Sequence, residues 1–179
     1  MSIPTVSSSV SVVPLVPAAA RVISLRAAAL SDDREFALGR ALSAAGAALA
    51  EGRVVELIWP AAREVAWASA ALGLPLAQSV AALATAAPAG GAIVIHTRTG
   101  SPDDFLALAP HPRISFVVHT NAEEAALRWE RGDASPGRRV AAAARLRAAG
   151  WQVWLCVGPV RLFDGWREEY EDLAERAAA

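Results

Sequence analysis

Between residues 113 and 157 two short apolar runs flank a single helical segment, and that order leaves few folds open. Residues 113–118 read RISFVV, an apolar, β-branched run of the length of a buried strand. Ser135 followed by Pro136 has the form of a helix cap and a first-turn proline, and Gly150 falls where that helix should stop. Residues 152–157, QVWLCV, make a second buried run, ended by Gly158-Pro159. A strand, a helix and a strand at this spacing form a βαβ crossover, and a crossover implies a parallel sheet.

The rest of the chain repeats this rhythm. Residues 21–25 read as a strand. Ser31 is placed to cap the next helix, and Asp32, Asp33 and Glu35 suit its positive end. Leu38, Ala41, Leu42, Ala45 and Leu49 then recur at helical spacing, and Gly52 stops the helix. Residues 54–59 form the second strand, with Pro60 at a turn. Residues 61–87 read as two short helices split at Gly73-Leu74-Pro75, because Pro75 can open a helix but not continue one. A strand at 92–96 and a short helix at 103–108 follow. The next helix begins near Asn121, is interrupted at Gly132 and resumes over 135–149. Its apolar stripe is Val140, Ala143 and Ala144, with Arg147 on the same face. In the last helix Trp166, Tyr170, Leu173, Ala174 and Ala177 share a face, and Arg167–Glu171 and Asp172–Arg176 have ion-pair spacing. Five β-α units predict an α/β fold, a parallel sheet covered by helices. They are too few for a closed eight-stranded barrel, and an open, partial (β/α) barrel fits the count. Residues 1–20 read as a flexible N-terminal tail and 21–179 as one domain.

Composition removes several function classes. The formal net charge is −1 and the pI about 6.3, so no global basic field is offered to nucleic acid. All 17 basic residues are Arg, a usage that needs no functional reason although Arg also suits phosphate contacts. The single cysteine, Cys156, excludes a disulfide framework, fits a reducing cytoplasm, and cannot by itself hold a four-iron cluster. His96, His111 and His119 lack the sequence spacing of a metal site, so no metal ligands are expected. Residues 65–95 carry no charge, but they are alanine-rich and broken by Gly73, Pro75 and Pro88. Packing on a sheet is therefore expected there rather than a membrane span.

The wording of the last third resembles one family. Spore photoproduct lyases, which are radical S-adenosylmethionine proteins, carry a Ser-x-Asn strand end, then Glu-x-Gly-Thr, a basic helix opening, Ala-Gly-Tyr, a Pro-Ile strand end and Gly-Trp-Glu-Glu-x-Tyr. This chain has His119-Thr120-Asn121, then Glu130-Arg131-Gly132-Asp133, Arg138-Arg139, Ala149-Gly150-Trp151, Gly158-Pro159-Val160 and Gly165-Trp166-Arg167-Glu168-Glu169-Tyr170. No single piece is specific; the ordered series is. Upstream, Ile95-His96-Thr97-Arg98 resembles the family's strand ending in Thr-Lys. The resemblance implies an incomplete barrel and an ancestral repair of thymine dimers in DNA. It implies that Thr97 and Arg98 face the S-adenosylmethionine carboxylate, that His119 and Asn121 face the cofactor, and that Gly158 and Pro159 approach the adenine. The family's Cys-x3-Cys-x2-Cys motif is absent from this chain, so no 4Fe-4S cluster is expected here and residual S-adenosylmethionine binding is left open.

Individual residues also have plainer readings. Cys156, among apolar neighbours, reads as a small core side chain. His119 has no carboxylate partner assignable from spacing. Glu168 and Glu169 read as a solvated helix start. Trp129, Trp151, Trp154 and Trp166 could stack on bases, but three of them fall at packing positions. The first expectation is therefore a lyase-like homologue without its cluster and without catalysis. The alternatives are a non-enzymatic interaction domain, self-associating through an open sheet edge, and a subunit completed by a cluster-bearing partner.

Overall fold

The computed structural model describes residues 20–130 and 132–178; the expected tail, apart from residue 20, lies outside them. The chain runs β1 (Arg21–Ser24), α1 (Leu25–Ala29), α2 (Arg34–Ala50), β2 (Val54–Ile58), α3 (Ala62–Leu72) and α4 (Leu76–Ala86). It continues with β3 (Ala92–Thr97), α5 (Asp103–Leu106), β4 (Ile114–Thr120), α6 (Glu123–Trp129), α7 (Pro136–Ala148), β5 (Gln152–Val157) and α8 (Trp166–Ala178).

All five strands form one sheet in the order β1-β2-β3-β4-β5, and every neighbouring pair is parallel. Spatial order equal to chain order, with right-handed crossovers, sends each connection to the same face. A doubly wound sheet would reverse its order part-way. The chain is therefore the expected α/β fold, a five-stranded partial barrel covered by helices.

Side chains alternate across a strand, so each strand shows one face to the helices and one to the concave side. Ile23, Val55, Leu57, Ile93, Ile95, Ile114, Phe116 and Val118 are buried on the helix side. Leu38, Ala45 and Leu49 of α2, Val65 and Ala68 of α3, Leu76 and Val80 of α4, and Leu146 of α7 pack on them. The opposite face carries Glu56, His96, Val117 and His119, all half-buried. No single helix among the described residues is long and apolar enough to cross a membrane. Helices α3 and α4 reach that length only together, bent by 68°.

Four local expectations are corrected. Ser31 caps nothing: the strand passes straight into α1, where the Ser24 hydroxyl accepts from the Ala27 amide at 2.9 Å. Burial of Leu25, Ala28 and Ala29 docks that turn, and α2 starts only after Asp33. Ser135 occupies the N-cap position of α7 but its side chain makes no cap bond. The buried face of α7 is Pro136, Arg139, Ala142, Ala143 and Leu146, while Ala144 and Arg147 are exposed. The helix turns to bring Leu146 to the sheet and Arg139 to an acidic partner. In α8, Leu173 is buried and Trp166 and Tyr170 half-buried, but Ala174 and Ala177 face out. Arg176 pairs with Asp172 at 2.9 Å, whereas Arg167 lies over the Trp166 ring, 5.3 Å from its centroid.

The helical layer is thinnest over β3 and β4, where α5 is a single turn. Phe105 fills that gap, 4.9 Å from Trp59, 4.8 Å from Phe116 and 5.8 Å from Trp151 between ring centroids. Truncating it to Phe105→Ala should cost about 3–5 kcal/mol, read from a shifted urea midpoint at unchanged slope.

Candidate functional site

A cleft of about 630 Å³ opens at the carboxyl ends of β2, β3 and β4. Its wall includes His96, Thr97 and Arg98 at the end of β3, His119 on β4, Arg26 of α1, Arg138 of α7, and Asp133 from the turn before α7. Ligands in parallel α/β folds sit at this end of the strands.

Two arginines share one acid here. The Arg98 guanidinium donates to Asp133 Oδ2 at 3.2 Å and that of Arg26 to Oδ1 at 3.4 Å. The Asp133 side chain is 8% exposed and that of Arg98 36%, so the acid is buried behind its arginine. Thr97 is buried, and its hydroxyl accepts from the Thr99 amide at 3.1 Å, closing the turn that carries Arg98. The Gly100 backbone packs flush on α7: an added Cβ would stand 3.0 Å from the Cβ atoms of Ala134 and Arg138.

On the concave face His96 Nδ1 and His119 Nε2 lie 2.9 Å apart. Burial, then the charges of His96, Arg98 and Arg139, lower the His119 pKa from 6.5 to about 4, and Glu130 opposes them only in part. His119 is therefore neutral near pH 7.

The other expected residues gather one strand over. Asn121 is 2% exposed and donates to Glu130 Oε1 at 3.1 Å and to the Pro159 carbonyl at 3.3 Å. Its amide oxygen accepts from the Ala122 amide at 3.1 Å and from the Tyr170 hydroxyl. The structure thus joins Asn121 to Gly158-Pro159, whose peptide bond is cis, and joins Thr97, Arg98 and His119 in the cleft.

Residue-by-residue reading missed the strongest pair in the neighbourhood. Arg139, 1% exposed, donates to Glu130 Oε2 at 2.5 Å and to the Ala134 carbonyl at 2.6 Å. Burial alone would raise the Glu130 carboxyl, but hydrogen bonds from Arg139 and Asn121 and the nearby arginine charges hold it below the usual carboxylate range. Glu130-x-Gly132 and Arg138-Arg139 in the ordered motif series were the signal for it.

The model of the spore photoproduct lyase family matches residues 75–179, more than half of the chain. The chain belongs to that family. A cysteine-to-serine variant of spore photoproduct lyase is similar in structure with a TM-score of 0.62 at 19% identity, covering 78% of this chain and 41% of that one. A spore photoproduct lyase complexed with dinucleoside spore photoproduct gives 0.57 at 17%, over 82% and 41%. A double variant with bound AdoMet (S-adenosylmethionine) and dinucleoside spore photoproduct gives 0.56 at 18%, over 82% and 41%. At these identities the likeness is one of fold, and the chain spans about 41% of the length of these lyases. No curated protein matches it.

Two measurements probe this electrostatic frame. Arg139→Ala leaves a buried carboxylate uncompensated and should cost about 3–5 kcal/mol in urea unfolding, most of it recovered in Glu130→Gln/Arg139→Met. An unfolded histidine takes up its proton near pH 6.5, but folded His119 holds off until about 4. Stability should therefore fall as pH drops through that window and then level for this group. The His119 ring signals should titrate near pH 4 by NMR, and His119→Asn should flatten the slope.

Proposed function

We propose that this chain is a spore photoproduct lyase-like half-barrel that binds S-adenosylmethionine at its strand-end rim and does not cleave it. The observation that carries this reading is Arg98, at the end of β3, braced by Asp133 on the wall of a 630 Å³ cleft. That volume lies within the range of small-molecule sites, roughly 300–1,000 Å³. A forked guanidinium on a net-positive wall suits a carboxylate. S-adenosylmethionine supplies a carboxylate and an adenine ring. Gly158 and Pro159 would meet the adenine through backbone atoms, with Asn121 fixing their loop. His119 would stand neutral beside the bound cofactor.

An iron-sulfur cluster does not fit these residues. Cys156 is the chain's one thiol, on β5, and a four-iron cluster needs several thiolates. The dinucleoside spore photoproduct bound to one of the relatives supports a DNA lesion as the ancestral substrate class.

A second reading is favoured by β5. It is the last strand of the sheet, its residues Val153 to Cys156 are half-buried, and Val157 is 43% exposed. A cluster-bearing half-barrel on another polypeptide, or a second copy, could pair along that edge.

Calorimetry with S-adenosylmethionine should show binding, weakened about tenfold or more in Arg98→Ala, the loss of one charge-assisted contact of about 1.4 kcal/mol or more. No heat at millimolar cofactor would sink the reading. Anaerobic reconstitution with iron and sulfide should leave the isolated chain colourless; a brown protein that cleaves the cofactor would overturn it.

A further inference from the structure

We propose that a recess between α3 and α5, on the helix side of the sheet, binds a small organic cation of the arylalkylamine type, an ammonium group carried on one apolar ring. The site is separate from the strand-end cleft and stands whether or not the cleft takes S-adenosylmethionine. Its volume is about 360 Å³, at the compact end of the range for small-molecule sites.

The recess exists because α5 is a single turn and cannot roof the sheet beside α3. Ile95, Phe116 and Leu146, each 1% exposed or less, close its floor. Trp59 and Phe105 stand at its sides, with ring centroids 4.9 Å apart and planes inclined by 54°. Polar residues gather at the mouth instead. Ser69 of α3, Thr99 and Ser101 of the turn after β3, and Asp103 and Asp104 of α5 are all at least part-exposed there. An apolar interior behind a polar mouth selects a ligand with one charged end.

Charge decides which end that is. The turn from Thr97 to Ser101 borders both this recess and the cleft, yet the two spaces have opposite sign. The cleft is lined by Arg26, Arg98 and Arg138, whereas no residue lining the recess is basic and two are acidic. Asp103 is paired with Arg145 at 2.6 Å, but Asp104 has no ion pair among the described residues. The neutral oxygens at the mouth already serve the backbone. Ser69 Oγ accepts from the Leu76 amide at 3.0 Å, and Thr99 Oγ1 from the Ser101 amide at 3.1 Å. Asp104 is thus the mouth's uncompensated group. An ammonium is attracted both to that carboxylate and to the faces of nearby aromatic rings, while an anion is repelled.

Phenethylamine is the probe, with phenethyl alcohol as its neutral counterpart and hydrocinnamate as the anionic one. Titrated into the full chain at millimolar concentration, the amine should shift the NMR signals of the Trp59 indole and the Ser69 and Thr99 amides saturably. The alcohol should bind about threefold more weakly or worse, the scale of one exposed charge contact, and hydrocinnamate should not bind. Asp104→Asn should erase the preference for amine over alcohol. Ala66→Phe, which fills the recess from an exposed position on α3, should abolish binding of both. Circular dichroism verifies folding, and Ala66→Leu replaces the larger variant if that fails to fold. No saturable shift, equal affinity of the wild type for amine and alcohol, or binding that persists in the folded filled variant would overturn the proposal.

Discussion

One buried charge organises the carboxyl end of the sheet. Arg139 is 1% exposed, and a guanidinium at that depth is tolerated only with its partners in place. Glu130 supplies the counter-charge, and the carbonyl oxygens of Ala134 and His119 accept from the same side chain at 2.6 and 3.4 Å. The second Glu130 oxygen receives Asn121, which in turn binds the Pro159 carbonyl and the Tyr170 hydroxyl. Glu169 extends the connection by accepting from the Glu124 amide at 3.0 Å. A single helix residue thereby fixes the end of β4, the turn between α6 and α7, the loop after β5 and the start of α8. Leu173 is the one residue of α8 that is fully buried, so polar contacts carry much of that helix's placement.

What the sequence made legible was local. Each strand is a short apolar run bounded by Gly, Pro or charge, and each needs no distant information to be found. The partial barrel follows from counting those runs. The face of α7 was not legible, because apolarity ranks Arg139 as the residue to turn outward. Burying it depends on Glu130, nine positions upstream, and on a carbonyl from another strand. The imidazole pair was hidden for the same reason. His96 and His119 stand 23 residues apart, and only the parallel register of β3 and β4 brings them together. The ordered motif series did contain Glu130 and Arg139 as letters; the structure supplies the reason for keeping them.

A closed parallel barrel buries both faces of its strands. Here only the helix side is fully buried, and the strands alternate as a half-solvated sheet does. The concave side can therefore hold Glu56, His96, Ser115 and His119, polar groups that a filled interior would accept only in a paired state. Openness and polarity depend on each other: five strands leave the face wet, and a wet face permits ionisable residues at the strand ends. The same openness leaves β5 half-covered.

The cleft itself rests on an imbalance of charge. Asp133 is shared between Arg26 and Arg98, and Arg138 lies on the same wall, so more positive than negative charge lines the space. The acid between them is buried while both arginines stay part-exposed, so the pairing holds the wall of the cleft and still leaves the guanidinium groups open to a ligand. An arginine at position 98 matters for geometry as much as for charge. Its fork can hold Asp133 with one edge and present the other, whereas a lysine is a point charge that must divide itself between partners. The close seat of Gly100 against Ala134 and Arg138 sets how far that fork reaches into the cleft: a side chain there would push the turn away from α7 and carry Arg98 off its brace.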